Sequence, residues 1–229
     1  MLAVAPVDGV VLVRRLLGAA LLKSTDVAAQ LHPAWVEAAW QRAGMAAPPA
    51  RPLPGSAELL AATYGLQWAS LAGFAHRTDR LALLPRPELL RVLAAVALHG
   101  ERDRVRHSIG RGLRAAIIER VGEVAYAGIV AAAVDGSPRA AGGLAMADLE
   151  PDKLAKSGFA ALREHGHWRS TGALAWVRLA LAPEENKRTP ATRASDVAGA
   201  LQRLSLYFPE HAWLFGFPMD RALSASTKA

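Results

Sequence analysis

The stretch ALHGERDRVRHSIGRGLR, residues 97–114, gathers the side chains best suited to chemistry. His99, Asp103 and His107 fall at i, i+4 and i+8, so an unbroken helix would line them along one face at a spacing that suits metal ligation. Gly100 lies within that set and reads as a helix stop, which leaves a solvated charged turn as the simpler expectation. Ser108 beside His107 and near Asp103 has the residue types of a nucleophilic triad, but triads are assembled by three-dimensional roles, and RHSIG lacks the first glycine of a G-x-S-x-G elbow. Gly110-Arg111-Gly112 completes neither phosphate-binding glycine motif, and Gly142-Gly143 fails the same test. His165 and His167 are a pair with no third ligand nearby. The chain contains no Cys, which removes disulfides, thiolate nucleophiles and the usual structural zinc sites. The expectation is a non-enzyme with no catalytic residues, no cofactor and no metal.

What the stretch does carry is arginine: Arg102, Arg104, Arg106, Arg111 and Arg114. The whole chain has a formal charge of +7, with 22 arginines and only 5 lysines, and arginine favours bidentate pairing with carboxylate or phosphate. Such a cluster can bind nucleic acid through counterion release. Glu101 and Asp103 interrupt it, the segment after Gly112 is too apolar for a recognition helix, and no aromatics interleave the cations. A basic helical nucleic-acid-binding regulator is therefore the alternative. The preferred reading is a protein-docking surface, since arginine is enriched at interface cores and alternating charges set partner and register. On that reading, charge reversal at Arg102, Arg104 and Arg106 weakens partner binding without unfolding the chain. Trp213, Leu214 and Phe215 form a second candidate contact, with packing against the chain's own core as the simpler role.

These residues must be positioned by helices. The chain is 52% hydrophobic and 6% aromatic, and an apolar set dominated by Ala and Leu favours helices over sheets. Residues 1–229 read as one mainly α, compact multi-helix domain: helices over 1–44, a Pro-rich connection over 45–56, a helical core over 57–208 and an aromatic tail over 209–229. In the first helix, Val13, Leu16, Leu17 and Leu21 are the expected buried face and Arg14 and Arg15 point out. His32-Pro33 opens the next, with Trp35 and Trp40 on one side and Gly44 as its stop. Ser56 caps a helix whose stripe runs Leu60, Tyr64, Trp68, Leu71. AHRTDR at 75–80 reads as a polar break. The run from Glu88 to Gly100 is apolar on nearly every side and belongs at the centre of the core. From Leu113 one long helix is expected, with Ile117, Val121 and Val124 on a face that Gly128 extends, where a neighbouring helix can approach closely. A loop follows at 134–143. Glu150, Pro151 and Asp152 suit a helix start. Residues 173–182 fit a helix by composition, with a β element as the alternative because Leu174, Trp176 and Arg178 alternate. A polar linker precedes a final helix capped by Ser195 and stopped by Pro209. No apolar run reaches the ~18–20 residues of a membrane-spanning helix, and the basic pair at 14–15 sits inside the N-terminal apolar stretch instead of before it, unlike a secretion signal. A cytoplasmic protein is the simplest expectation.

One arrangement is familiar. An apolar helix ending Leu98-His99-Gly100-Glu101, followed at once by Arg104, Arg106 and a second apolar segment, resembles the SctK (YscK/PscK) family, the cytosolic accessory subunit of bacterial type III secretion systems. KSGFA at 156–160, WVRLAL at 176–181 followed by Pro183, and the two-Trp segment at 31–40 are similar to further blocks of that family, and the resemblance covers residues 30–210. It implies a mainly helical, non-enzymatic adaptor in the sorting platform at the cytoplasmic face of the inner membrane. There the family bridges the forkhead-associated-like cytoplasmic domain of the ring protein SctD to the SctQ pods, and through SctL to the ATPase SctN. No nucleic acid is implied.

Overall fold

The computed structural model describes residues 9–49, 53–67, 71–74, 76–108, 110–133, 142–183 and 194–215. The described residues form α-helices and short 3₁₀ turns, with no strand among them. In chain order the α-helices are α1 (Gly9–Thr25), α2 (Val27–Gln30), α3 (Pro33–Arg42), α4 (Ser56–Tyr64), α5 (Arg86–Gly100), α6 (Arg102–Arg106), α7 (Arg111–Val121), α8 (Glu123–Ala131), α9 (Pro151–Glu164), α10 (Thr171–Ala180), α11 (Ala194–Tyr207) and α12 (Ala212–Phe215). Turns of 3₁₀ helix occupy Leu71–Phe74, Asp79–Leu83, Met146–Leu149 and Pro209–His211.

The mainly helical reading holds, and α5 is the central element that the sequence predicted. Every residue of α5 from Val92 to Gly100 is buried, and α9, α11, α7 and α8 all pack on it. The closest packing is with α9: a Cβ placed on Gly158 would fall within the van der Waals radius of the Leu93 backbone carbonyl. Only glycine permits the two backbones to meet there. Around this pair the core gathers Leu89, Leu93, Leu98, Ile117, Phe159 and Leu162.

Several starts and stops fall where the sequence places them. Pro33 opens α3 and the His32 side chain accepts from the Ala34 N–H; Gly44, at φ 81°, ends that segment. Pro151 opens α9. Gly128 does sit at a close approach, against the Tyr207 ring of α11.

Other expectations are corrected. Residues 173–180 are helical, as their composition favours, and the alternative β element does not form: Ala173, Trp176, Val177 and Ala180 are buried at i, i+3, i+4 and i+7, a helical period, and the Ser170 hydroxyl caps α10 by accepting from the Ala173 N–H at 3.2 Å. The long helix expected from Leu113 is two, because Gly122 adopts φ 88° and turns the chain between α7 and α8; Val124 is consequently exposed. Gly55 is the N-cap of α4 and Ser56 its first residue, while α4 stops at Tyr64 on the left-handed Gly65, so the stripe does not continue to Leu71. Trp68 lies outside the described residues, as do 134–141 of the expected loop and 186–193 of the linker. The last long helix begins at Ala194, one residue before the expected cap.

Two corrections bear on function. On α1 the buried positions are Leu12, Leu16 and Lys23, while Leu17 and Leu21 are exposed, so the helix is rotated from the expected face. The polar break at 75–80 is not solvated throughout: Thr78, Asp79 and Arg80 are buried. Asp79 Oδ1 accepts the N–H groups of Arg169 and Ser170, both at 3.1 Å, and so anchors the approach to α10.

The Gly158 contact yields a test. Gly158→Ala should destabilise the protein by about 1–3 kcal/mol, the ordinary cost of overpacking, and Gly158→Val by more, read as a lowered urea midpoint with the far-UV helical signal retained.

Candidate protein interface around the arginine cluster

The cluster at 102–114 divides into arginines used inside the fold and arginines left on its surface. Helix ends carry carbonyls with no partner inside the helix, and cationic side chains satisfy them well. Arg102 is 4% exposed. It donates Nε to the Ala133 carbonyl at 2.8 Å just beyond α8, and one Nη to the His99 carbonyl at 3.1 Å and to Asp196 Oδ1 at 2.8 Å. Asp196 is itself buried, so the pair joins α6 to α11 in a setting where neither charge tolerates loss of the other. Arg106 donates Nε to the Val130 carbonyl at 2.8 Å and its other nitrogen to Ala132. Arg104 pairs with Asp148 at 3.0 Å and Glu101 at 3.5 Å, and also donates to the Gly143 carbonyl. Glu101 and Asp103, which at the sequence level interrupt a basic patch, are its local counterions: Asp103 lies 3.8 Å from Arg106.

Arg111 and Arg114 are different. Both are exposed on the first turn of α7, and Arg114 lies over the Tyr126 ring at 5.4 Å. Arg106 is exposed as well, but its guanidinium is held by the carbonyls at the end of α8. The reversal of Arg102, Arg104 and Arg106 expected to spare the fold is thus a perturbation of the fold first.

The aromatic segment divides in the same way. Phe215 is 1% exposed and Leu214 is buried with it, so these two pack on the chain's own core. Trp213 is half-buried, and the Arg15 guanidinium lies over its ring at 5.9 Å.

His99, Asp103 and His107 do not share a face, because α5 ends at Gly100 and α6 begins at Arg102. His99 is buried, its Nδ1 2.7 Å from the Tyr207 hydroxyl. Burial, reinforced by Arg102 and Arg203, lowers its pKa to about 4, and burial pushes Tyr207 up to about 12. His107 Nδ1 bonds the Asp103 carbonyl, and the Ser108 hydroxyl donates to the Arg104 carbonyl and accepts from the Leu144 N–H. His107 and Ser108 thus fasten backbone segments together, while His99 joins α5 to α11 through Tyr207.

Sequence reasoning missed a second polar cluster. Glu88, Glu210 and His211 bring three potential ligand atoms within 4.8 Å of one another, but Arg91 already donates to Glu88 and to Glu210, each at 3.2 Å. A metal ion there would have to displace a guanidinium that also bonds the Val121 carbonyl. Glu88 and His211 are 123 positions apart, so a tertiary contact assembles the cluster and no local motif signals it.

Two outcomes follow. Arg102→Ala should cost about 3–5 kcal/mol, because it strands a buried carboxylate, whereas Arg111→Ala should stay within about 0.5 kcal/mol; urea unfolding of the two variants separates them. His99 supplies a pH dependence. Its folded-state pKa lies below the ordinary ~6.5, so between pH 6.5 and about 4 the unfolded chain takes up a proton that the folded chain refuses, and stability falls as pH drops through that window. The stability advantage of wild type over His99→Gln should therefore narrow from pH 7 to pH 4.

Comparison with known proteins agrees with the resemblance seen in the sequence. A family model described as bacterial type III secretion protein (HrpB4) matches residues 15–210, a span running from within α1 to the turn before α12. No curated protein and no solved structure was found to match the chain. HrpB4 is the SctK-type family, whose members are accessory secretion components and not known enzymes. The chain belongs to the HrpB4 family of bacterial type III secretion proteins.

Proposed function

We propose that this protein is a non-enzymatic adaptor of the type III secretion sorting platform, joining the cytoplasmic domain of the ring protein SctD to the SctQ pods, and through SctQ to SctL and the ATPase SctN. The observation that carries the reading is the family match over residues 15–210. The chemistry of the chain supports it: its buried charges are spent on helix ends and ion pairs, and exposed cations of the cluster such as Arg111 and Arg114 suit carboxylates on a protein partner. No helix among the described residues is long and apolar enough to cross a membrane, so attachment at the inner membrane would come through SctD.

The nucleic-acid reading loses its main support, because Arg102, Arg104 and Arg106 bond inside the fold and no stripe of free guanidinium groups remains along 102–106.

The test is co-purification of the tagged chain with the SctQ homologue and with the soluble cytoplasmic domain of the SctD homologue from the same bacterium. Recovery of both is the expected result. Arg111→Glu/Arg114→Glu should lower recovery of one partner several-fold while the unfolding midpoint stays put. Recovery of neither partner, with nucleic acid retained through high-salt washing, would reverse the conclusion.

A further inference from the structure

The described residues with large apolar side chains exposed to solvent are concentrated on one helix. Val10, Val11, Leu17, Leu21 and Leu22 of α1 are 57%, 40%, 51%, 66% and 74% exposed, half of all such side chains in the described chain. A solvated surface helix places polar residues there. At 100° per residue these five fall on the side opposite the buried Leu12, Leu16 and Lys23, so they share one outer face, with the exposed Arg14 near its centre and Arg15 at its edge. A face on which five exposed apolar side chains surround one cation is unusual for a solvated helix and marks an interaction site.

The relief of that face suits another helix. Gly18 lies among Val11, Leu17, Leu21 and Leu22, and a Cβ built on it meets nothing within 4 Å. The face therefore has ridges with a gap at its middle, the geometry into which a second helix packs. Beside it a recess of about 310 Å³ is lined by Ala19, Leu22, Leu84, Trp213 and Leu214, with Lys23 at its wall. A recess of that size takes a bulky anchoring side chain.

Charge decides what kind of helix. From Gly9 to Thr25 the chain has Arg14 and Arg15, both exposed, and no carboxylate. Asp26, the next acid, is occupied capping α2 through the Ala29 N–H. A second copy of this chain would bring its own Arg14 and Arg15 into an isologous contact with no acid from either α1 to offset them. A lipid surface is flat and cannot fill the recess, and α1 offers it two arginines and no aromatic side chain.

We infer that the outer face of α1 seats an amphipathic helix of the pod-side partner, whose apolar stripe carries Asp or Glu within it and at one edge and which inserts one bulky apolar residue between α1 and Trp213. This rests on the adaptor reading above and deepens it. Arg14 pairs with the carboxylate within that stripe and Arg15 with one at its edge, and Gly18 sets the distance of approach.

The experiment is retention of the purified SctQ homologue by the full-length tagged chain and its variants, with light scattering and thermal unfolding on the same samples. Leu17→Asp/Leu21→Asp should lower retention at least tenfold and Arg14→Glu several-fold. Gly18→Leu should also abolish close packing while leaving the unfolding midpoint equal or higher, since its side chain enters open space and a mid-helix glycine is unfavourable; it therefore answers even if the double variant folds poorly. Unchanged retention by Gly18→Leu and by the double variant would overturn the inference and leave the adaptor standing. Failure of the wild-type chain to retain SctQ would overturn both. A wild-type dimer that Gly18→Leu converts to monomer, or binding to phosphatidylglycerol vesicles that the variants lose while SctQ retention is unchanged, would overturn it in favour of self-association or a membrane contact.

Discussion

A fold built from many short helices has many helix ends, and each end leaves carbonyl groups that must find donors. This protein meets that demand with arginine. Arg80 donates to the Phe74 and Leu214 carbonyls, Arg86 to Ala180 at the end of α10, and Arg91 to Val121 at the end of α7. Arg102 and Arg106 close the end of α8, and Arg120 bonds the Leu149 carbonyl. Lys23 does the same for Leu84 at 2.7 Å, at the cost of a pKa lowered by burial to about 7. Guanidinium suits the task because its charge stays on at any working pH and its planar fork reaches two acceptors at once.

That constraint explains the composition. Twenty-two arginines against five lysines look like a basic protein seeking an acidic polymer, yet Arg102, Arg104 and Arg106 of the densest cluster bond carbonyls and carboxylates of the fold itself. Charge-assisted hydrogen bonds to backbone contribute about 1.5–3 kcal/mol each, more than surface ion pairs of the usual strength. The cations in α6 hold α5, α8 and α11 in place, while the arginines in the first turn of α7 and on α1 stay exposed.

The same economy runs through the centre. With α5 wholly apolar along most of its length, its C-terminal end is where polarity enters the core: His99 meets Tyr207, and Arg102 meets Asp196. Both partners come from α11, more than ninety residues later in the chain. Tyr207 also fills the space left by Gly128, so one side chain serves a polar contact and a close helix approach together.

Much of this was legible in sequence. The apolar run at 88–100, the proline starts of α3 and α9 and the glycine stop after α3 follow from local rules: side-chain period, a fixed proline φ and the freedom of glycine at positive φ. Family membership was readable as well, from short blocks in a fixed order. Tertiary structure decided the rest. Whether Gly122 ends a helix depends on where α8 must lie, and which side of α1 is buried depends on what packs against it, since Leu16 and Leu17 are equally apolar and differ only in direction. Whether an arginine faces water or a distant carbonyl depends on residues such as Ala133 and Asp196 that no local pattern connects to it. Residue type and spacing determine which elements form; burial and partnership, which give a charge its role, are properties of the assembled fold.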